Sequence, residues 1–119
     1  MAHDYILVVD DDDAIRDSVV EALEDAAYPV KAAHDGREAL SILRQGDGQP
    51  CLVLLDLMMP VMDGWAFARE HARDPSLAKV PICVVTAVGT SRAIPPDAVA
   101  VVRKPFKLQD LLEVVQQHC

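Results

Sequence analysis

Carboxylates are concentrated at two places where apolar runs of the sequence end. Asp10 and Asp11 follow the run YILVV, and Asp56 closes the run CLVLLD. Like charges repel, and two unit charges about 4 Å apart cost on the order of 4 kcal/mol at an effective dielectric constant of about 20. A hard cation offsets that repulsion, and Mg²⁺ prefers a few carboxylates together with water. A carboxylate is also a nucleophile that can form an aspartyl phosphate.

A hydroxyl and an ammonium group follow two other apolar runs. Thr86 closes the run VPICVVT, and Lys104 comes shortly after the run AVAVV. Such groups stabilise the charge on a phosphoryl group during its transfer. No general base is needed, because a carboxylate is already ionised at neutral pH. If the fold brings the five side chains together, they favour magnesium-dependent phosphoryl transfer to a carboxylate.

The elements that must position these groups alternate along the chain. Apolar runs predict strands at 5–10, 29–33, 51–56, 80–86 and 98–102, and helical spacing predicts helices at 14–26, 35–46, 63–72 and from about 108. Alternation of this kind predicts a doubly wound (βα)5 domain with a parallel five-stranded sheet. In the flavodoxin-like order 2-1-3-4-5, the first and third strands are neighbours at the point where the strand order reverses. The acids, the threonine and the lysine would then share one edge of the sheet.

Acidic residues also stand where helices should begin. Asp12 or Asp13, Asp35 and Asp63 each precede a segment with helical periodicity. A short carboxylate at this position accepts hydrogen bonds from the first free backbone amides of a helix. We expect these residues to be helix caps.

Length and charge limit the classes of function. The chain has 119 residues, a net charge of −8 and 51% hydrophobic residues, which predicts one globular domain over residues 1–119. An acidic chain of this kind is not expected to bind nucleic acid through a basic face. No signal peptide and no apolar run long enough to span a bilayer is recognisable, so we expect a cytoplasmic protein without a membrane partner.

The cysteines and histidines do not show the spacing of a metal site. Cys51 and Cys83 lie in apolar runs and are expected to be buried, reduced thiols, and Cys119 makes the number of cysteines odd. The four histidines have no ligand spacing with one another. A zinc site is therefore not predicted.

Four segments together carry a family resemblance. ILVVDDDDAIR, LLDLMMPVMDGW, VVTA and RKPF, in this order and spacing, resemble the receiver domain of bacterial two-component response regulators over essentially the whole chain. The resemblance implies that Asp56 is the phosphoacceptor. It further implies that Mg²⁺, or Mn²⁺ in its place, is held by Asp11, Asp56 and the backbone carbonyl of Met58, with Asp10 often acting through water.

The same resemblance assigns the remaining site residues and the partners. Thr86 and Lys104 match the hydroxyl and the lysine of the family's site, and the bond between Lys104 and Pro105 is typically cis in the family. The phosphoryl donor would be a phosphohistidine on a sensor histidine kinase or a histidine phosphotransferase. A downstream protein target is a further possible partner.

The chain departs from the family pattern between Thr86 and Lys104. The segment is short and contains Pro95 and Pro96, and proline is tolerated only in the first turn of a helix. We therefore predict that the helix between the fourth and fifth strands is a single turn or a loop within residues 89–97. Val101 stands where many receivers have a switching tyrosine or phenylalanine, which predicts an altered readout or a phosphorelay role with little output.

In the family that the chain resembles, two positions flank the path of the hydrolytic water, and both are apolar here. Met58 lies two residues after Asp56, and Val88 lies two residues after Thr86. Neither side chain can orient a water molecule by hydrogen bonds. We expect slow self-dephosphorylation.

Two other functions compete with a phosphoacceptor receiver. A protein-interaction module with a receiver fold would act without phosphorylation, but such modules tend to lose the acids or the lysine. A magnesium-dependent phosphohydrolase with Asp56 as nucleophile typically needs a second acid at position 58, where this chain has Met58. The sequence leaves open whether the chain is a stand-alone regulator or the N-terminal part of a longer protein.

Overall fold

A computed structural model describes residues 5–45, 48–87 and 93–119 of the chain. Strands and helices alternate in the order Tyr5–Val9 (β1), Asp13–Asp25 (α1), Val30–Ala33 (β2), Gly36–Leu43 (α2), Pro50–Asp56 (β3), Gly64–Arg73 (α3), Ile82–Ala87 (β4), Ala100–Lys104 (β5) and Leu108–His118 (α4). No helix in these ranges combines the length and the apolar character needed to cross a bilayer.

The five strands form one parallel sheet in the order β2-β1-β3-β4-β5. The predicted doubly wound architecture and strand order are confirmed. β1 and β3 are central neighbours, and β2 and β4 flank them on opposite sides. In a parallel sheet the carboxyl ends of all strands lie at one edge, so the residues that end β1, β3, β4 and β5 are brought to the same side of the molecule.

The three inner strands β1, β3 and β4 are buried on both faces, which explains why they are continuous apolar runs. Successive residues of each strand point to opposite faces. One face packs against α2 and α3 through Leu7, Val53, Leu40 and Phe67, among others. The opposite face packs against α1 and α4 through Ile6, Leu54, Leu23, Leu111 and Val115, among others.

Three helices begin at an aspartate, as predicted. The side chain of Asp12 accepts a hydrogen bond from the amide of Ile15, and the Asp35 and Asp63 side chains cap α2 and α3 in the same way. Asp13 is the first residue of α1 rather than its cap. Local spacing was sufficient for these assignments, because a cap and the amide it binds are only three residues apart.

The connection between β4 and β5 differs from an ordinary crossover. Residues 93–99 contain one turn and one bend but no helix, as predicted for the proline-containing part of the segment. The rest of the predicted stretch, residues 89–92, lies outside the described residues. Trp65 on α3 donates a hydrogen bond from its indole Nε1 to the carbonyl of Ala93, at 2.8 Å, and so holds this connection against α3.

The prediction that Cys51 is a reduced thiol is wrong. Cys51, the second residue of β3, forms a disulfide with Cys119, which immediately follows α4. The helices of a doubly wound fold run antiparallel to the strands, so the end of α4 lies beside the start of β3. That proximity depends on tertiary structure and has no local signal. Cys83 is a free, buried thiol, as expected.

Candidate functional site

Three carboxylates meet at the carboxyl edge of the sheet. Asp10 and Asp11 follow β1, and Asp56 is the last residue of the neighbouring β3. One carboxylate oxygen from each of the three lies within 4.8 Å of the others. Asp10 and Asp56 are each only 4% exposed, whereas Asp11 is exposed. The structure thus places two buried acids and one accessible acid around a common point.

Lys104, the last residue of β5, reaches into this acid cluster. Its Nζ lies 3.1 Å from Oδ2 of Asp10 and 3.7 Å from Oδ2 of Asp56. The lysine side chain is only 19% exposed. One ammonium therefore serves two buried carboxylates, and it offsets only part of their negative charge. The backbone bond between Lys104 and Pro105 is cis, as the resemblance implied.

The environment of Asp56 raises the pKa of its carboxyl group to about 6. Burial is the largest cause, and the negative charge of Asp10 adds to it. Lys104 and the amide of Met58, which donates to Oδ1 at 3.3 Å, act in the opposite direction. The protein's own groups therefore balance only part of the negative charge of ionised Asp56.

The donor set fits a hard divalent cation. Asp10, Asp11 and Asp56 present carboxylate oxygens only, without a sulfur or imidazole among the described groups of the cluster. Mg²⁺ and Mn²⁺ take such oxygen ligands. A cation there would balance the negative charge that Lys104 leaves uncompensated.

Thr86 lies at the same edge and is almost completely buried, at 1% exposure. Asp56 pairs with Val85 in the register of β3 and β4, so Thr86 stands one residue beyond that pair. Its hydroxyl donates to the carbonyl of Ala87 over 3.4 Å, which is long for a hydrogen bond between two oxygen atoms. Because this hydrogen bond is weak, the hydroxyl loses little free energy when it turns to a better acceptor.

Arg16 lies at the edge of the acid cluster, and its role there was not predicted from the sequence. Its Nη1 donates to the backbone carbonyl of Asp10 at 2.9 Å, and its Nη2 pairs with the carboxylate of Asp13 at 2.6 Å. The guanidinium thus fastens the acidic loop after β1 to the first turn of α1. The three-residue spacing of Asp13 and Arg16 was a signal for the ion pair, but the contact with Asp10 has none.

Gly64 is the second residue that was missed. Its amide donates to the carbonyl of Leu57 at 2.9 Å. A Cβ at this position would lie 2.6 Å from both the carbonyl oxygen of Asp56 and the Cα of Leu57. The start of α3 therefore packs directly on the backbone that carries Asp56, with no room for a side chain.

The three residues expected to modify the site fall in different places. Met58 has an exposed side chain in the loop after β3. Val101 lies on β5 and is partly exposed, opposite Val84 of β4. Val88 lies outside the described residues.

Comparisons of sequence and structure relate the chain to known proteins. The family model for the response regulator receiver domain matches residues 6–116. The DNA-binding dual master transcriptional regulator RpaA of Synechocystis is 36% identical over 115 residues, which cover 93% of this chain and 47% of RpaA. The solved structure of the chemotaxis response regulator CheY4 of Vibrio cholerae is 30% identical, with a TM-score of 0.83 and coverage of 99% of this chain and 100% of CheY4.

A further solved structure bears on the acid cluster. It is the receiver domain of a sensor histidine kinase from Pseudomonas aeruginosa, with a magnesium ion coordinated in its active-site cleft. It is 25% identical to this chain, with a TM-score of 0.80, and 98% of each chain is covered. The present chain spans about half the length of the first curated relatives it matches.

Proposed function

This chain belongs to the response regulator receiver domain family, whose function is phosphoacceptor signalling, and we propose that it accepts its phosphoryl group on Asp56. The donor is a phosphohistidine on a sensor histidine kinase or a histidine phosphotransferase. The observation that carries the proposal is the placement of Asp56, which is buried among two further carboxylates and the Lys104 ammonium. A structural ion pair would not need a third, exposed acid at the same point.

The transfer begins with attack by a carboxylate oxygen of Asp56 on the phosphorus atom. The bond between phosphorus and the donor's imidazole nitrogen breaks, and the imidazole leaves. A pKa of about 6 keeps most of Asp56 ionised at pH 7, so no base has to remove a proton first. In this proposal Lys104 and Thr86 donate hydrogen bonds to the oxygens of the phosphoryl group once it is attached.

Asp10, Asp11 and Asp56 are the side chains that would hold Mg²⁺ or Mn²⁺, and the backbone carbonyl of Met58 is a further ligand in this proposal. When bound, the cation offsets the negative charge of the carboxylates and of the incoming phosphoryl oxygens. Asp10 also anchors Lys104, and Arg16 holds the backbone of Asp10 in place. The protein's own residues thus pre-arrange the positive groups before the donor arrives.

The chemistry of the domain is limited to its own phosphorylation and slow dephosphorylation. Met58, two residues after Asp56, is exposed and apolar. Its side chain cannot orient a water molecule for attack on the acyl phosphate. Val88 has the same chemical character in the sequence. We infer a long-lived phosphorylated state, suited to a signalling switch or to a relay.

Residues 1–119 act as one receiver domain in this proposal, and the domain works in the cytoplasm, where sensor kinases generate phosphohistidine from ATP. Its partners are proteins rather than nucleic acid, because its net charge is −8. Val101 stands in place of an aromatic switch residue. The phosphorylated state is therefore recognised through another surface, or the phosphoryl group is relayed onward.

A phosphorylation assay with acetyl phosphate tests this function and its dependence on metal. We expect uptake of one phosphoryl group with Mg²⁺ and almost none when EDTA is present, because the carboxylates then repel the anionic donor. The product should be cleaved by hydroxylamine, which attacks acyl phosphates and spares phosphate esters. Equal uptake in EDTA, or a product that resists hydroxylamine, would contradict the proposal.

A further inference from the structure

The pair of cysteines at the other edge of the sheet is not used by the phosphoryl-transfer site. Cys51 lies at the start of β3, and Cys119 follows the last residue of α4. The two are 68 residues apart in sequence, and their Cα atoms are 5.5 Å apart. That separation is typical of natural disulfides, so neither element has to move for the bond to form.

Small thiols and disulfides have access to this pair. An open cavity of about 620 Å³ is lined by both cysteines together with Tyr28 and His118. Cys119 is exposed and Cys51 is half-buried. Thiol–disulfide exchange requires an attacking thiolate to reach a sulfur atom, and this cavity provides the approach.

The attachment of α4 to the sheet does not depend on the disulfide. Leu111 and Val115 are buried against the sheet, and the amide of Cys119 donates to the carbonyl of Val115 at 2.8 Å. The core contacts of Leu111 and Val115 remain when the sulfur–sulfur bond is broken, whereas the last turn keeps only its own backbone hydrogen bonds. Reduction should therefore release only the end of α4 and leave the fold intact.

Cys83 provides an internal contrast. It is completely buried in β4, and burial raises the pKa of its thiol to about 12. It stays protonated and out of reach of oxidants. Of the three cysteines in the sequence, two are placed to react with each other and the third is protected.

We propose that Cys51 and Cys119 form a reversible redox pair that controls the end of α4. A small disulfide such as glutathione disulfide oxidises the two thiols: their sulfurs become bonded, and the oxidant leaves as two thiols. Excess thiol reverses the exchange. The proposal uses the cytoplasmic location given under Proposed function, since disulfides there are usually transient, but it does not depend on phosphorylation of Asp56.

Counting thiols tests the pair directly. The purified chain is equilibrated in glutathione buffers from reducing to oxidising, quenched, denatured and labelled with a maleimide before intact mass measurement. We expect three labelled thiols in reducing buffer and one in oxidising buffer. Cys51→Ser and Cys119→Ser each keep two cysteines and should instead gain one glutathione, on the remaining member of the pair. Cys83→Ser should keep the parent's transition.

Hydrogen exchange tests the structural consequence. Amides in the last turn of α4 should exchange faster after reduction, and the melting temperature should fall by roughly 10 °C. In the double variant Cys51→Ser/Cys119→Ser, which has neither thiol of the pair, both properties should be independent of the buffer. Any one of four results would overturn the proposal. The parent could show three labelled thiols in every buffer, or form mixed glutathione disulfides instead of the bond. The bond could survive excess thiol, or amide exchange in α4 could be the same in both states. An Asp56→Asn variant should behave as the parent, which separates this test from that of the proposed function.

Discussion

Replacing Lys104 with methionine is expected to slow phosphoryl uptake from acetyl phosphate by about 100-fold, a typical effect of removing one pre-arranged donor from a transition state. The ammonium lies 3.1 Å from Asp10 and 3.7 Å from Asp56, and it is largely shielded from water. Methionine keeps the length of the side chain and removes the charge. Two buried carboxylates would then face the anionic donor without their positive partner.

The measurement is the initial rate of phosphoprotein formation at saturating Mg²⁺. Lys79→Met is the matched control, because it removes the same charge from an exposed lysine before β4, away from the acid cluster. We expect the control to phosphorylate at the parent's rate. Equal rates for Lys104→Met and Lys79→Met would show that the ammonium takes no part in the transfer.

Replacing Gly64 with alanine is expected to destabilise the protein by about 3 kcal/mol, the upper part of the usual range for overpacking a core. The added Cβ would meet the backbone of Asp56 and Leu57 at 2.6 Å. Backbone atoms at the end of the central strand β3 cannot rotate away as a side chain would. Because the clash is with the residue that carries the candidate phosphoacceptor carboxylate, phosphoryl uptake should fall as well.

Urea unfolding of Gly64→Ala against the parent measures this effect. Helix propensity alone favours alanine over glycine, so it predicts the opposite sign. Ala72→Gly, at an exposed position of the same helix, reports the backbone effect of glycine without a clash and should cost about 1 kcal/mol. A Gly64→Ala protein as stable as the parent would mean that α3 can shift away from β3.

The architecture was predictable because its signals are short-range or repetitive. The continuous apolar runs of β1, β3 and β4 indicated a sheet covered on both faces, and the acids at the ends of β1 and β3 indicated which edge holds the candidate site. The helix caps involve residues only three apart. Both kinds of signal are present in the chain before it folds.

The missed features depend on contacts between distant segments. The disulfide joins residues 68 apart, and only the packing of α4 on the sheet brings Cys51 and Cys119 together. The need for glycine at position 64 comes from the approach of α3 to the backbone of Asp56. Neither contact leaves a periodic or local trace in the sequence. Only part of the role of Arg16 could be predicted. Its spacing from Asp13 indicated the ion pair, but nothing indicated the contact with the backbone of Asp10.

Intact mass measurement of the parent and Asp56→Asn after incubation with acetyl phosphate and Mg²⁺ tests the central claim most directly. Asp25→Asn, at an exposed position at the end of α1, is the matched control. We predict a gain of one phosphoryl group in the parent and in the control, lost slowly after the donor is removed, and no gain in Asp56→Asn. A phosphoryl group on Asp56→Asn, or none on a folded parent that binds Mg²⁺, would contradict the assignment of Asp56 as the phosphoacceptor.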